Sequence, residues 1–125
     1  MAEMAEMFPT ARAQDIVRVR ALIREFLRAT PASELDAALV WRDADGHLRS
    51  LTRGQMTRRV ESFRPRMRRI VEQQFIARRT REAVADDLAI SVKTLERDQN
   101  EALDALAADA EILRDGIRDG VRESA

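Results

Sequence analysis

A chain of 125 residues supports one modest core or two very small ones and leaves little room for a large substrate cavity. It has no cysteine and a single histidine, His47, which excludes disulfides, thiolate chemistry and cysteine-type zinc sites and leaves any metal almost wholly to carboxylates. The net charge is zero, which argues against a uniformly basic nucleic-acid coat, and no apolar run approaches the roughly 20 residues of a membrane span.

Residues 10–29, TARAQDIVRVRALIREFLRA, put Ile16, Val19, Leu22, Ile23, Phe26 and Leu27 at three- and four-residue steps, the spacing of one apolar helix face. Pro31 ends this helix, because proline lacks the amide hydrogen and restricts the residue before it. A short helix capped by Ser33 is predicted in SELDAALVW. In VWRDADGHLRSLT, Asp45-Gly46 between two alternating stretches predicts a tight hairpin near residues 39–51, with Trp41 as a core plug against the first helix. Thr52 and Gln55 match a capping box, so a helix is expected from Arg53 to about Val60. SFRPRMRRIVEQQFIARR predicts another, with Ser62 as cap, Pro65 in the first turn, and Phe63, Met67, Ile70, Val71 and Phe75 inward. Thr80 caps a short helix carrying Val84, Ala85 and Leu88. Ser91 opens a longer one with Val92, Leu95, Ala102 and Leu106 inward.

Helical spacing continues through Ala110, Leu113, Ile117 and Val121, although Gly116 and Gly120 each cost about 1 kcal/mol in a helix interior. A fraying, acidic helical tail is therefore expected over 109–125. The predicted class is mainly α, a helix-turn-helix bundle with a small β-hairpin. Its expected parts are an amino-terminal helix and hairpin (1–51), a helix-turn-helix domain (52–108) and the tail.

Charge is strongly sorted along the chain. Leu51 to Arg81 holds ten arginines against Glu61 and Glu72, whereas Glu96 to Ala125 holds nine acids against four arginines. A basic block beside an acidic tail fits a phosphate-facing surface that the tail shields from indiscriminate contact. The same block can also be a solvated arginine-rich helix, partly paired with the tail.

TREAVADDLAISVKTLERDQNEALDAL, residues 80–106, reads as helix, short turn, helix, with small Ala85 where the helices approach and Val84, Leu88, Ile90 and Leu95 to fix their angle. In a helix-turn-helix the second helix enters the DNA major groove. With Leu95, Ala102 and Leu106 inward, Lys93, Arg97 and Asn100 project outward together. Arginine can grip guanine, asparagine can pair with adenine, and lysine can reach guanine or phosphate; Glu96 can accept from cytosine or pair within the helix. Arg64, Arg68, Arg69, Arg78, Arg79 and Arg81, with Ser91 and Thr94 at the helix start, are the candidate phosphate contacts.

The stretch FRPRMRRIVEQQFIARRTREAVADDLAISVKTLERDQNEALDAL resembles region four of bacterial sigma factors and, within that superfamily, the small phage late-gene activators of the ArpU and RinA kind. The resemblance covers about residues 60–106 and rests on Leu88, Ala89, Ile90, Ser91, Thr94, Leu95 and Arg97, which stand where those families read LGIS followed by a threonine, an aliphatic residue and arginines. It implies a sequence-specific DNA-binding transcription regulator, phage or prophage encoded, acting near a promoter and able to contact RNA polymerase. Two departures stand out. Ala89 replaces the turn glycine, so either the turn is strained or its dihedrals differ. Asp98 and the acids after it replace basic residues, which lowers the expected affinity for phosphate.

The alternative reading is a protein–protein interaction module, or a DNA-packaging adaptor like a terminase small subunit, on the same helix-turn-helix. Double-stranded DNA is the expected partner. Paired half-sites would require a homodimer, for which the Leu106, Ala110, Leu113, Ile117 stripe or the first helix offers an apolar seam. No nucleophile, second histidine or glycine-rich loop accompanies the acids, so no enzyme activity, cofactor or metal is expected, and a polar turn accounts for Asp43, Asp45 and His47. MAEMAEMFPT has neither a basic leader nor an export core, so the expected address is cytoplasmic and off the membrane.

Overall fold

The computed structural model of the chain describes residues 11–113. It is mainly helical with a small three-stranded antiparallel sheet. Helix α1 (Ala11–Ala29) is followed by strands β1 (Ala38–Arg42) and β2 (Leu48–Thr52), then α2 (Arg53–Glu61) and α3 (Pro65–Val71). A π-helical turn, Glu72–Ile76, extends α3; α4 (Arg81–Leu88), α5 (Val92–Ala108) and strand β3 (Glu111–Leu113) complete the order. Among the described residues, no helix is long and apolar enough to cross a membrane.

The main core gathers Val19, Ile23 and Leu27 of α1 with Trp41 of β1, Leu51 of β2, Met56 and Val60 of α2, Phe75, and Leu103 and Leu106 of α5. One core thus spans the amino-terminal segment and the helical segment after it. Ile16 departs from the expected inner face and is exposed, lining an open cleft beside Val19 and Trp41. Trp41 is buried in that core, as its position on the hairpin predicts.

The hairpin forms as expected. Residue pairs run from Ala38 opposite Thr52 to Arg42 opposite Leu48, and Gly46 takes φ 86° in the turn, a conformation glycine adopts without a Cβ clash. The Asp43 carboxylate closes it by accepting from the backbone N–H of Asp45 and of His47 (both 2.9 Å) and from Arg49 Nε (2.9 Å).

Three expectations are corrected. The helix predicted from Ser33 is a pair of turns, because the carbonyls of Leu35 and Ala37 accept the N–H groups of Gly54 and Arg53 at the start of α2 (3.0 and 2.8 Å) and so cannot serve a helix of their own. Ser62 does not cap α3; its hydroxyl donates to the Arg59 carbonyl at the end of α2 (2.6 Å), and Arg64 takes the N-cap position before Pro65. The long helix stops at Ala108. Glu111–Leu113 pairs with β2 instead of continuing as a helical tail, with Leu48 opposite Leu113, and the strand ladder supplies hydrogen bonds that an isolated frayed helix would lack. Ile117, Val121 and the two tail glycines lie outside the described residues. Leu106 and Ala110 are buried in the chain's own core, so the proposed dimer stripe is not an open seam along those positions.

Candidate nucleic-acid interface

Helices α4 and α5 are held by a second, smaller core of Ile70, Val84, Ala85 and Leu95, with Leu88, Ile90 and Val92 packed against it. Ile70 belongs to α3, so the helix pair is anchored to the arginine-bearing helix before it. Thr80 and Ser91 cap the two helices as predicted, their side chains accepting from Ala83 N–H (3.1 Å) and Thr94 N–H (3.0 Å).

The turn between them resolves the question raised by Ala89. Its backbone is left-handed, φ 57° and ψ 43°, so it is the strained alternative that applies. Ile90 N–H donates to the Ala85 carbonyl (3.0 Å) and Ala89 N–H to that of Asp86 (3.1 Å), the bond pair of a Schellman cap. Ile90 then folds back beside Ala85 and Val84, which sets where α5 departs.

On α5 the buried residues are Leu95, Asp98, Gln99, Ala102, Leu103 and Leu106. Lys93 and Arg97 are exposed on the opposite side, and Asn100 is half-buried beside them. Among the described residues, the side chains of these three find no hydrogen-bond or ion-pair partner. The other candidates are engaged. Glu96 accepts from Arg81. Ser91 and Thr94 bond each other through their hydroxyls (3.0 Å) while capping the helix.

Arginines flank α5 on both sides. On one, Arg81 reaches Glu96; on the other, Arg66 Nε donates to Asp98 Oδ2 (2.7 Å) and Arg64 meets Glu101 (3.3 Å). Asp98 is 2% exposed, so this departure from a basic helix serves as a buried anchor tying α5 to the start of α3. Arg68 pairs with Glu72 one turn on (3.1 Å), and Arg79 with Asp87. Arg78, in a left-handed conformation at φ 61°, donates from Nη2 to the Arg28 carbonyl of α1 (2.8 Å). Arg69 is exposed and has no such partner among the described residues. The exposed pairs Arg64–Glu101, Arg68–Glu72, Arg79–Asp87 and Arg81–Glu96 are each worth about 0–1 kcal/mol, so exchanging their carboxylate for a phosphate is not costly.

The π-helical turn was not legible in the sequence. It brings Gln74 and Phe75, adjacent in the chain, both inward, where Gln99 of α5 donates to Gln74 Oε1 (2.7 Å, buried). Arg28 of α1 lies over the Phe75 ring, 5.6 Å from its centroid. Sequence reasoning gave α1 no functional residue. Arg20, Arg24 and Arg28 recur at four-residue steps, however, and that spacing is the signal that α1 presents a basic stripe. Asp43, Asp45 and His47 each offer a ligand atom within 4.8 Å of the others, but the Asp43 carboxylate is already committed to the hairpin.

Comparison of this chain with protein-family models, with curated proteins and with solved structures finds no match.

Proposed function

We propose that the protein is a sequence-specific DNA-binding regulator of transcription, acting in the cytoplasm, with α5 as its recognition helix. The observation that carries this reading is the exposed, unpaired Lys93 and Arg97 on the outer face of the second helix of a capped helix-turn-helix, with Asn100 beside them. Arginines on both flanks of that helix supply backbone contacts that set register, and the outward side chains supply base contacts. The resemblance to sigma region four and to phage late-gene activators adds promoter-proximal action, contact with RNA polymerase and a phage or prophage origin.

Selection of bound sites from random duplexes at moderate salt tests the reading. Recovery of a motif is expected. Arg97→Ala should then relax preference at one base position and cost about 1–3 kcal/mol, whereas Arg69→Ala should weaken binding to all sequences and lower the salt slope by about one. Equal effects of both substitutions on every sequence would remove the assigned division of labour.

A second reading, an interaction module for a protein partner or a packaging adaptor, is favoured by one observation: most arginines of residues 64–81 are paired with the chain's own acids. A protein interface that is largely apolar should respond little to salt, while duplex binding should weaken steeply as counterions are released. A ring-sized mass in solution would identify the adaptor.

A further inference from the structure

Where α1, the π-helical turn, the start of α4 and the flank of α5 meet, the surface forms an open cleft of about 630 Å³. Four arginines, Arg24, Arg28, Arg79 and Arg81, line it against two glutamates, Glu82 and Glu96. Glu96 is taken by Arg81, and Arg79 is held by Asp87. The wall residues Gln74 and Gln99 satisfy each other at 2.7 Å.

The α1 arginines differ in how they are met. Arg20 grips Asp104 with Nε (2.8 Å) and Nη2 (2.7 Å), and Arg28 rests over Phe75. Arg24, between them, is half-buried, and its Nε is buried with no hydrogen-bond partner, the one such side-chain atom among the described residues. Burial first, then the charges of Arg28 and Arg20, pushes the Arg24 pKa down. A charged donor out of water and beside like charges is unfavourable in the free protein, and an incoming anion offsets the like charges.

We propose that this cleft is a seat for a phosphate group, gripped by the guanidinium groups of Arg24 and Arg28 with Arg79 and Arg81 at its edge. Planar guanidinium groups match phosphate oxygens in pairs, and the two that no carboxylate among the described residues holds, those of Arg24 and Arg28, favour an anion in the cleft. The phosphate can come from a DNA backbone lying along α5 or from a free phosphorylated small molecule. In either case it sits beside Asn100, which lines the same cleft. The proposal stands on the unmet arginine and does not need the DNA-binding reading.

The test follows the guanidinium Nε–H resonances of the full chain by NMR during titration with inorganic pyrophosphate and, separately, with a duplex of mixed sequence. We expect the Arg24 signal to move and saturate, and Arg24→Gln to weaken that binding at least tenfold. Should Arg24→Gln lose its fold by circular dichroism, Arg28→Gln should show the same loss. Displacement of duplex by pyrophosphate, or movement of the Arg24 signal with duplex alone, supports the seat with DNA as the source. Pyrophosphate binding alongside duplex, or without duplex affinity, supports it with a small molecule as the source, and in the latter case the DNA reading falls while the seat stands. An Arg24 signal unmoved by either probe overturns the seat, even if the duplex binds elsewhere.

Discussion

An alanine held at φ 57° and ψ 43° pays a steric cost that glycine avoids, because its Cβ crowds the neighbouring carbonyl oxygen. At Ala89 that cost is about 1–2 kcal/mol. Glycine gives back part of the gain by making the unfolded chain more flexible, worth about 0.4–1 kcal/mol. Ala89→Gly is therefore expected to stabilise the fold by about 0.5–1 kcal/mol, which for a chain of this size raises Tm by roughly 2–5 °C. The Schellman bonds from Ile90 and Ala89 use backbone groups alone, so they survive the change and α5 keeps its direction. Thermal and urea unfolding followed by circular dichroism measure the effect. Ala89→Val, with a branched side chain in the same conformation, should shift stability the other way. A lower Tm for Ala89→Gly would refute a left-handed turn at this position.

Asp98→Ala releases Arg64 and Arg66 from their buried acceptor; we expect a stability loss of about 1–3 kcal/mol together with tighter, more salt-sensitive binding to duplexes of any sequence, and an unchanged salt slope would contradict this. Gln99→Ala strands the Gln74 carbonyl oxygen in the interior at a cost of about 1–3 kcal/mol, whereas leucine at both positions should recover much of it in a double-mutant cycle. The hydrogen bond from Arg49 holds the Asp43 carboxyl below its ordinary range, burial opposes that, and the N–H groups of His47 and Asp45 add to the lowering. A depressed folded pKa stabilises the fold above the unfolded value of about 3.9 and the contribution disappears as pH falls through the folded one. Acid unfolding of Asp43→Asn should accordingly lack that component, and an identical acid profile would count against it.

Local pattern was enough for much of this protein. The apolar face of α1, the Asp45-Gly46 turn, the Thr52/Gln55 box and the Thr80 and Ser91 caps are each set by neighbours within about four residues, so the sequence determined where most elements begin and which face of α5 turns outward. Tertiary structure decided the rest, because it depends on groups distant in the chain. The carbonyls of residues 35 and 37 are claimed by the start of α2, Glu111–Leu113 finds the free edge of β2, and the π turn opens so that Gln74 meets Gln99. The same holds for charge. Composition gives the number of arginines, but whether one is held by an acid, as Arg66 is by Asp98, or left unmet, as Arg24 Nε is, follows only from which carboxylates the packed helices bring within reach.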